Sequence, residues 1–134
     1  MTGNRIIVHA LIKINNKYLV TKRSLEEEVY ANYWDIPGGL VEYGELPTNV
    51  LIREVKEEVG LDVDIIKIIH EDSNFDQKKD MIFIRLVYLC KLKKANQTIN
   101  LDKKEHSKYL MINKAEDLHN EKIVPFLKKV IFND

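Results

Sequence analysis

A double glycine followed by an acid-rich helix constrains this chain more than any other feature. Residues 38–61 read GGLVEYGELPTNVLIREVKEEVGL. Pro47 suits a first helical turn and Gly60 fits a stop after the last one, so the spacing predicts a helix over 47–59. With each residue turned by about 100°, Leu51, Ile52, Val55 and Val59 share one arc, and Glu54, Glu57 and Glu58 share the arc beside it. The apolar arc needs a sheet to pack on. The carboxylates, three and four positions apart, are neighbours close enough to share one ion.

Such a helix works against itself. Acids in the last turn face the negative end of the helix dipole at roughly 0.3–1 kcal/mol each, and like charges four apart repel by a few tenths more. A bound cation removes both costs. Hard divalent ions such as Mg²⁺ take oxygen ligands, keep several waters and bind through one or two carboxylates plus substrate phosphates. Taken alone, the helix is more simply a solvated charged face, and it is the flanking residues that reverse this reading.

From Gly39 the chain runs five residues to Glu45, seven more to Arg53, then Glu54, Val55, Lys56, Glu57, Glu58, Val59, Gly60 and Leu61. This resembles the Nudix box, G-x5-E-x7-R-E-U-x-E-E-x-G-U with U aliphatic, at every fixed position. The preceding Trp34-Asp35-Ile36-Pro37-Gly38-Gly39 is similar to the segment that leads into the box in that family. The resemblance implies a MutT-like hydrolase with an α/β fold, an α/β/α sandwich holding a mixed β-sheet between helices. It implies a divalent metal, Mg²⁺ with Mn²⁺ as a substitute. Glu54 and Glu58 are the principal ligands expected, with Glu57 as a further ligand or the general base and the backbone carbonyl of Gly38 helping to hold the ion. Arg53 is expected to anchor the loop before the helix and orient the glutamates. An acidic residue on a later loop can approach the metal or serve as base in this family. Glu105 is the best match, and a solvated loop glutamate is the equal alternative.

At 134 residues the chain has room for one domain, residues 1–134, which buries about two-thirds of the surface its unfolded chain exposes. The 21 basic and 21 acidic residues cancel, leaving no global attraction to nucleic acid or to an anionic membrane. Cys90, the only cysteine, lies in an apolar run and is expected to be a buried thiol. No apolar run approaches membrane length, and a cytoplasmic location is the default expectation.

Along the chain, residues 5–14 and 17–23 read as strands joined at Asn15-Asn16, since asparagine tolerates the left-handed conformation of a tight hairpin. His9 is read as structural and Trp34 as core. Lys22 and Arg23 end the second strand, where meeting a phosphate and simple solvation are equally open. Residues 24–33 form a loop. Residues 61–69 predict a strand with a bulge or phase change, residues 72–80 a polar loop, and residues 81–92 a central strand covered on both faces, with a helix as the alternative. A short strand over 109–112, a helical turn over 114–119 and a last helix opened by Pro125 complete the expectation. That helix should cover the other side of the sheet.

Cleaving a phosphoanhydride requires neutralising charge, positioning a water and removing its proton. The resemblance implies a small-molecule substrate in which a nucleoside diphosphate is linked to another group. No proline follows the box where it tends to accompany ADP-sugar activity, and no tyrosine stands where dinucleoside polyphosphate enzymes carry one. These absences tilt the expectation to a (deoxy)nucleoside triphosphate, oxidised ones included, cleaved to nucleoside monophosphate and pyrophosphate. The alternatives are a sugar-nucleotide pyrophosphatase, an RNA 5′ pyrophosphohydrolase, which the balanced charge does not encourage, and a non-catalytic sensing module. Relatives often form dimers, so a homodimer is the assembly the resemblance allows.

Overall fold

Gly3–Ile14 forms β1, the strand on which the sheet is built, and the computed structural model describes residues 1–132 of the chain. β1 turns through Asn15 and Asn16, both with positive φ, into β2 (Lys17–Arg23), as the Asn-Asn signal predicts. β3 (Trp34–Asp35) and β4 (Gly38–Val41) are short, and α1 (Pro47–Val59) follows. β5 (Val63–Asp76) and β6 (Met81–Leu92) form a long hairpin. β7 (His106–Ile112), a 3₁₀ turn (Ala115–Leu118) and α2 (Pro125–Phe132) close the order.

The sheet runs β3-β2-β1-β6-β5, with β4 added on β1 and β7 on β2. β1 pairs parallel to β6 and antiparallel to β2 and β4, so the sheet is mixed. Strand alternation sends Val8, Ala10 and Ile12 to one face and Leu11 to the other. On the first face they meet Val50, Leu51, Val55 and Val59 of α1; on the second, Leu11 joins the cluster holding Phe126, Leu127, Val130 and Ile131 of α2. Helices on both faces of a mixed sheet make the expected α/β/α sandwich. Cys90 is fully buried, and burial pushes its thiol up to about 12. Trp34 is fully buried, as a core residue should be. No helix among the described residues is long and apolar enough to cross a membrane.

Four expectations change. The buried arc of α1 is Val50, Leu51, Val55, Glu58 and Val59, while Ile52 is 40% exposed, because the helix packs with its apolar arc rotated toward the acids. The predicted loop over 72–80 is strand as far as Asp76: its polar residues are held by the ladder to β6 and by Asp72 bonding Arg85 at 2.8 Å, so tertiary pairing overrides composition. β6 is central and extended, but only Val87–Cys90 is fully covered; residues 81–85 belong to neither core cluster and stay half-buried. β7 begins at His106 instead of Tyr109, which puts Glu105 directly at the strand's start. The bulge expected in 61–69 is present twice, between Ile65 and Lys67 and between Ile68 and His70.

Candidate active site

One edge of β1 serves two strands. Its residues Ile6–His9 pair with β4 and its residues Ile12–Ile14 with β2, while the Ala10 N–H donates to the Pro37 carbonyl at 2.8 Å where the two diverge. Gly38 and Gly39 lie at this fork. A Cβ on Gly38 would stand 2.2 Å from the Val8 carbonyl oxygen and 3.0 Å from the His9 Cα. A Cβ on Gly39 would stand 2.8 Å from both Cγ and Cδ of Glu54. Only glycine lets this backbone lie against β1 and against the acids of α1 at once.

Those acids are not equivalent. Glu58 points into the protein, its side chain 7% exposed, with His106 Nε2 at 2.7 Å from Oε1. Burial first, then a hydrogen bond and charge from Glu54 and the charge of Glu105, push the Glu58 carboxyl up to about 10, against a smaller pull from the Gly38 N–H. Glu54 therefore lies beside Glu58 and against Gly39. Glu57 stands apart, 59% exposed, with Arg53 Nε at 3.9 Å. Arg53 reaches out of its own helix to Glu45 at 2.7 Å and, within the helix, lies 3.7 Å from Glu54. The bond from Arg53, and after it the Glu42 N–H, hold the Glu45 carboxyl below its ordinary range. Arg53 thus ties the loop before α1 to the acid face.

Glu105 arrives on a segment bolted to the end of α1. The Asn100 and Asp102 N–H groups donate to the Val59 and Glu58 carbonyls, each at 2.8 Å, satisfying acceptors that a helix C-terminus leaves open. Burial, then Glu27 by hydrogen bond and charge, then Asp102 and Glu54, raise the Glu105 carboxyl. Glu54, Glu58 and Glu105 are therefore gathered, and Glu27 lies beside Glu105. Sequence reasoning missed Glu27 and passed over His106. Nothing in the spacing of residues 24–33 singles out one of their three consecutive glutamates, and a histidine beside Glu105 has no meaning until the fold aims it at Glu58.

The donor set suits a hard cation. Its atoms are carboxylate and backbone oxygens, and it carries an excess of negative charge with Arg53 at one margin and Arg23, 3.2 Å from Glu27, at the other. Among the described residues no three acidic, histidine or cysteine side chains close on one point as a finished cage. An ion here would complete its shell with backbone, water and phosphate oxygens, as Mg²⁺ commonly does.

Arg23 also faces a cavity of about 450 Å³ on the α2 side of the sheet, lined by His9, Asp35, Asp72, Arg85 and Phe126 among others. Arg23 bonds Asp35 at 3.2 Å, and the Arg85 guanidinium lies 4.2 Å from the centre of the Phe126 ring. Burial, then the charges of Arg85 and Arg23, lower His9 to about 3 and keep it neutral. Lys22 turns away to Glu121 at 3.1 Å.

The family model for the NUDIX domain matches residues 3–133. The chain belongs to the Nudix family. It is 32% identical over 123 residues to the nucleoside triphosphatase NudI of Escherichia coli K12, covering 85% of this chain and 84% of that protein. It is 37% identical over 57 residues to the 8-oxo-dGTP diphosphatase of the same organism, an alignment spanning only 43% of that relative. Among solved structures this Nudix chain superposes on the MutT protein from Methanosarcina mazei Go1 with a TM-score of 0.80, 23% identity, and 98% and 92% of the two chains covered. That likeness establishes the Nudix fold.

Proposed function

We propose that this chain is a metal-dependent pyrophosphohydrolase that cleaves a nucleoside or deoxynucleoside triphosphate to the monophosphate and pyrophosphate. The observation that carries the proposal is the burial of Glu58 against Glu54 at the Gly38–Gly39 fork, where two acids share one place and the nearest cation is marginal. The 32% identity to a nucleoside triphosphatase along 85% of the chain supports the triphosphate class.

In this reading Glu54 and Glu58 would hold the ion with the Gly38 carbonyl; Glu57, which stands apart beside Arg53, would not touch it directly; and Arg53 keeps Glu54 and the preceding loop in register. A bound Mg²⁺ supplies neutralisation of phosphate charge and a more acidic water. Glu105 takes the proton of the attacking water, because it is held over the end of α1 beside the same acids and its environment raises its proton affinity. Arg23 stands between the acid cluster and the cavity, where its charge faces the phosphate chain while the cavity receives the nucleoside.

A panel of nucleoside triphosphates, oxidised deoxynucleotides, sugar nucleotides and 5′-triphosphate RNA, incubated with Mg²⁺, Mn²⁺ or a chelator, tests this. Metal-dependent release of monophosphate and pyrophosphate from a triphosphate is expected. Faster cleavage of a sugar nucleotide or an RNA end moves the substrate class, and no metal-dependent cleavage of any member overturns the proposal.

A further inference from the structure

His106 is buried at the start of β7, where it pairs with Arg23 of β2 and its N–H donates to the Asp102 carbonyl at 2.9 Å. Its ring extends away from that ladder to Glu58, 48 positions earlier in the chain, with Nε2 at 2.7 Å from Oε1. The other ring nitrogen, Nδ1, is buried and has no hydrogen-bond partner among the described residues. Among the described residues the ring's one hydrogen bond is therefore to Glu58.

We infer that His106 is a positioning residue that fixes the Glu58 carboxylate toward the ion-binding edge of α1, an inference resting on the reading of Glu58 as a metal ligand. When Glu58 is ionised it can only accept, so Nε2 carries the hydrogen and donates it to Oε1, leaving Oε2 free for an ion. Carboxylates that bind metals are commonly held by such a donor, and losing it costs roughly 10–100-fold in metal affinity. The same ring couples two parts of the site. Glu105 precedes it directly, and the segment carrying both is bonded to the Glu58 and Val59 carbonyls. Glu58 is thus gripped through its backbone by Asp102 and through its side chain by His106.

Mn²⁺ binding to the nucleotide-free protein, followed by calorimetry and by the electron spin resonance of free Mn²⁺, separates positioning from simple packing. His106→Gln places an amide N–H where Nε2 stands, whereas His106→Asn ends short, near the place of Nδ1. His106→Phe keeps the bulk without a donor. The expected result is Mn²⁺ affinity lowered roughly 10–100-fold in the Phe and Asn variants and largely restored in the Gln variant, with the metal concentration for half-maximal activity shifting in parallel. Equal Mn²⁺ affinity in the parent and the Phe variant, or in the Gln and Asn variants, overturns the inference. If the Phe variant fails to fold, the Gln and Asn pair still decides. A parent that binds no Mn²⁺ instead overturns the metal reading of Glu58, and the inference falls with it.

Discussion

On the α2 face of the sheet each carboxyl in the cavity has a cation beside it, whereas on the α1 face the acids chiefly have each other. Asp35 lies 3.2 Å from Arg23 and Asp72 lies 2.8 Å from Arg85, while Glu58 is pressed against Glu54 and within the field of Glu105. The first arrangement is self-contained. Its charges balance within the chain, so it shapes a cavity without demanding a ligand. The second is incomplete as a polypeptide, since burying like charges together is unfavourable unless something positive joins them. Where a fold leaves charge unbalanced, the missing partner is the best clue to what it binds.

The sharpest way to break this comparison is to remove one charge from each face. Glu58→Gln should reduce turnover by roughly 10²-fold or more, yet leave the metal-free protein as stable as the parent or more so, because it removes an acid whose ionised form burial disfavours. Arg85→Leu should do the reverse for stability, lowering the unfolding free energy by up to about 1 kcal/mol, because Asp72 loses its cation and keeps only His70. Urea unfolding of both in chelator, beside assays in Mg²⁺, reads the contrast. Equal stability losses would erase it.

The adjacent glycines sharpen the same point. Gly38→Ala drives a Cβ into the Val8 carbonyl and the His9 backbone, which cannot yield, and should cost roughly 1–3 kcal/mol or more. Gly39→Ala meets the far part of the Glu54 side chain, which can turn aside, so activity should fall while the melting temperature stays close to that of the parent. Thermal melts that show equal losses would place both glycines in the scaffold alone.

The last contrast lies in pH. His9 is neutral in the fold, lowered to about 3 from an ordinary 6.5, so the unfolded chain binds the extra proton between those values. Its contribution is fully present above pH 6.5 and is lost as pH falls toward 3. Glu58, raised from 4.5 to about 10, runs the other way, its metal-free stability falling as pH rises through that range. The difference between His9→Leu and the parent isolates the histidine: the variant's unfolding free energy should lose less between pH 6.5 and 4. Parallel curves would mean that His9 is not held neutral.

Much of the fold was legible along the chain because its signals are local. The Asn15-Asn16 turn, the Pro47 and Gly60 helix ends, the bulged run after Leu61 and the apolar spacing after Pro125 each depend on neighbours within a few residues. The strand through residues 72–76 was not legible, since its polar residues become strand only by pairing with β6 and by the bond that Arg85 donates to Asp72. Ile52 misled for a related reason: periodicity defines an arc, but the sheet chooses how far that arc is rotated, and here it takes Glu58 in and leaves Ile52 out.

By itself the sequence determined the spacing of Gly39, Glu45, Arg53, Glu54, Glu57 and Glu58, and with it the family and the layering of the fold. Tertiary structure alone decided that Glu58 would be buried and Glu57 exposed, that Glu105 would approach the helix acids with Glu27 beside it, and that His106 would reach Glu58. Spacing along a helix specifies direction to within an arc. Burial, charge crowding and hydrogen bonding depend on which strands close over that arc, and those come from residues dozens of positions away.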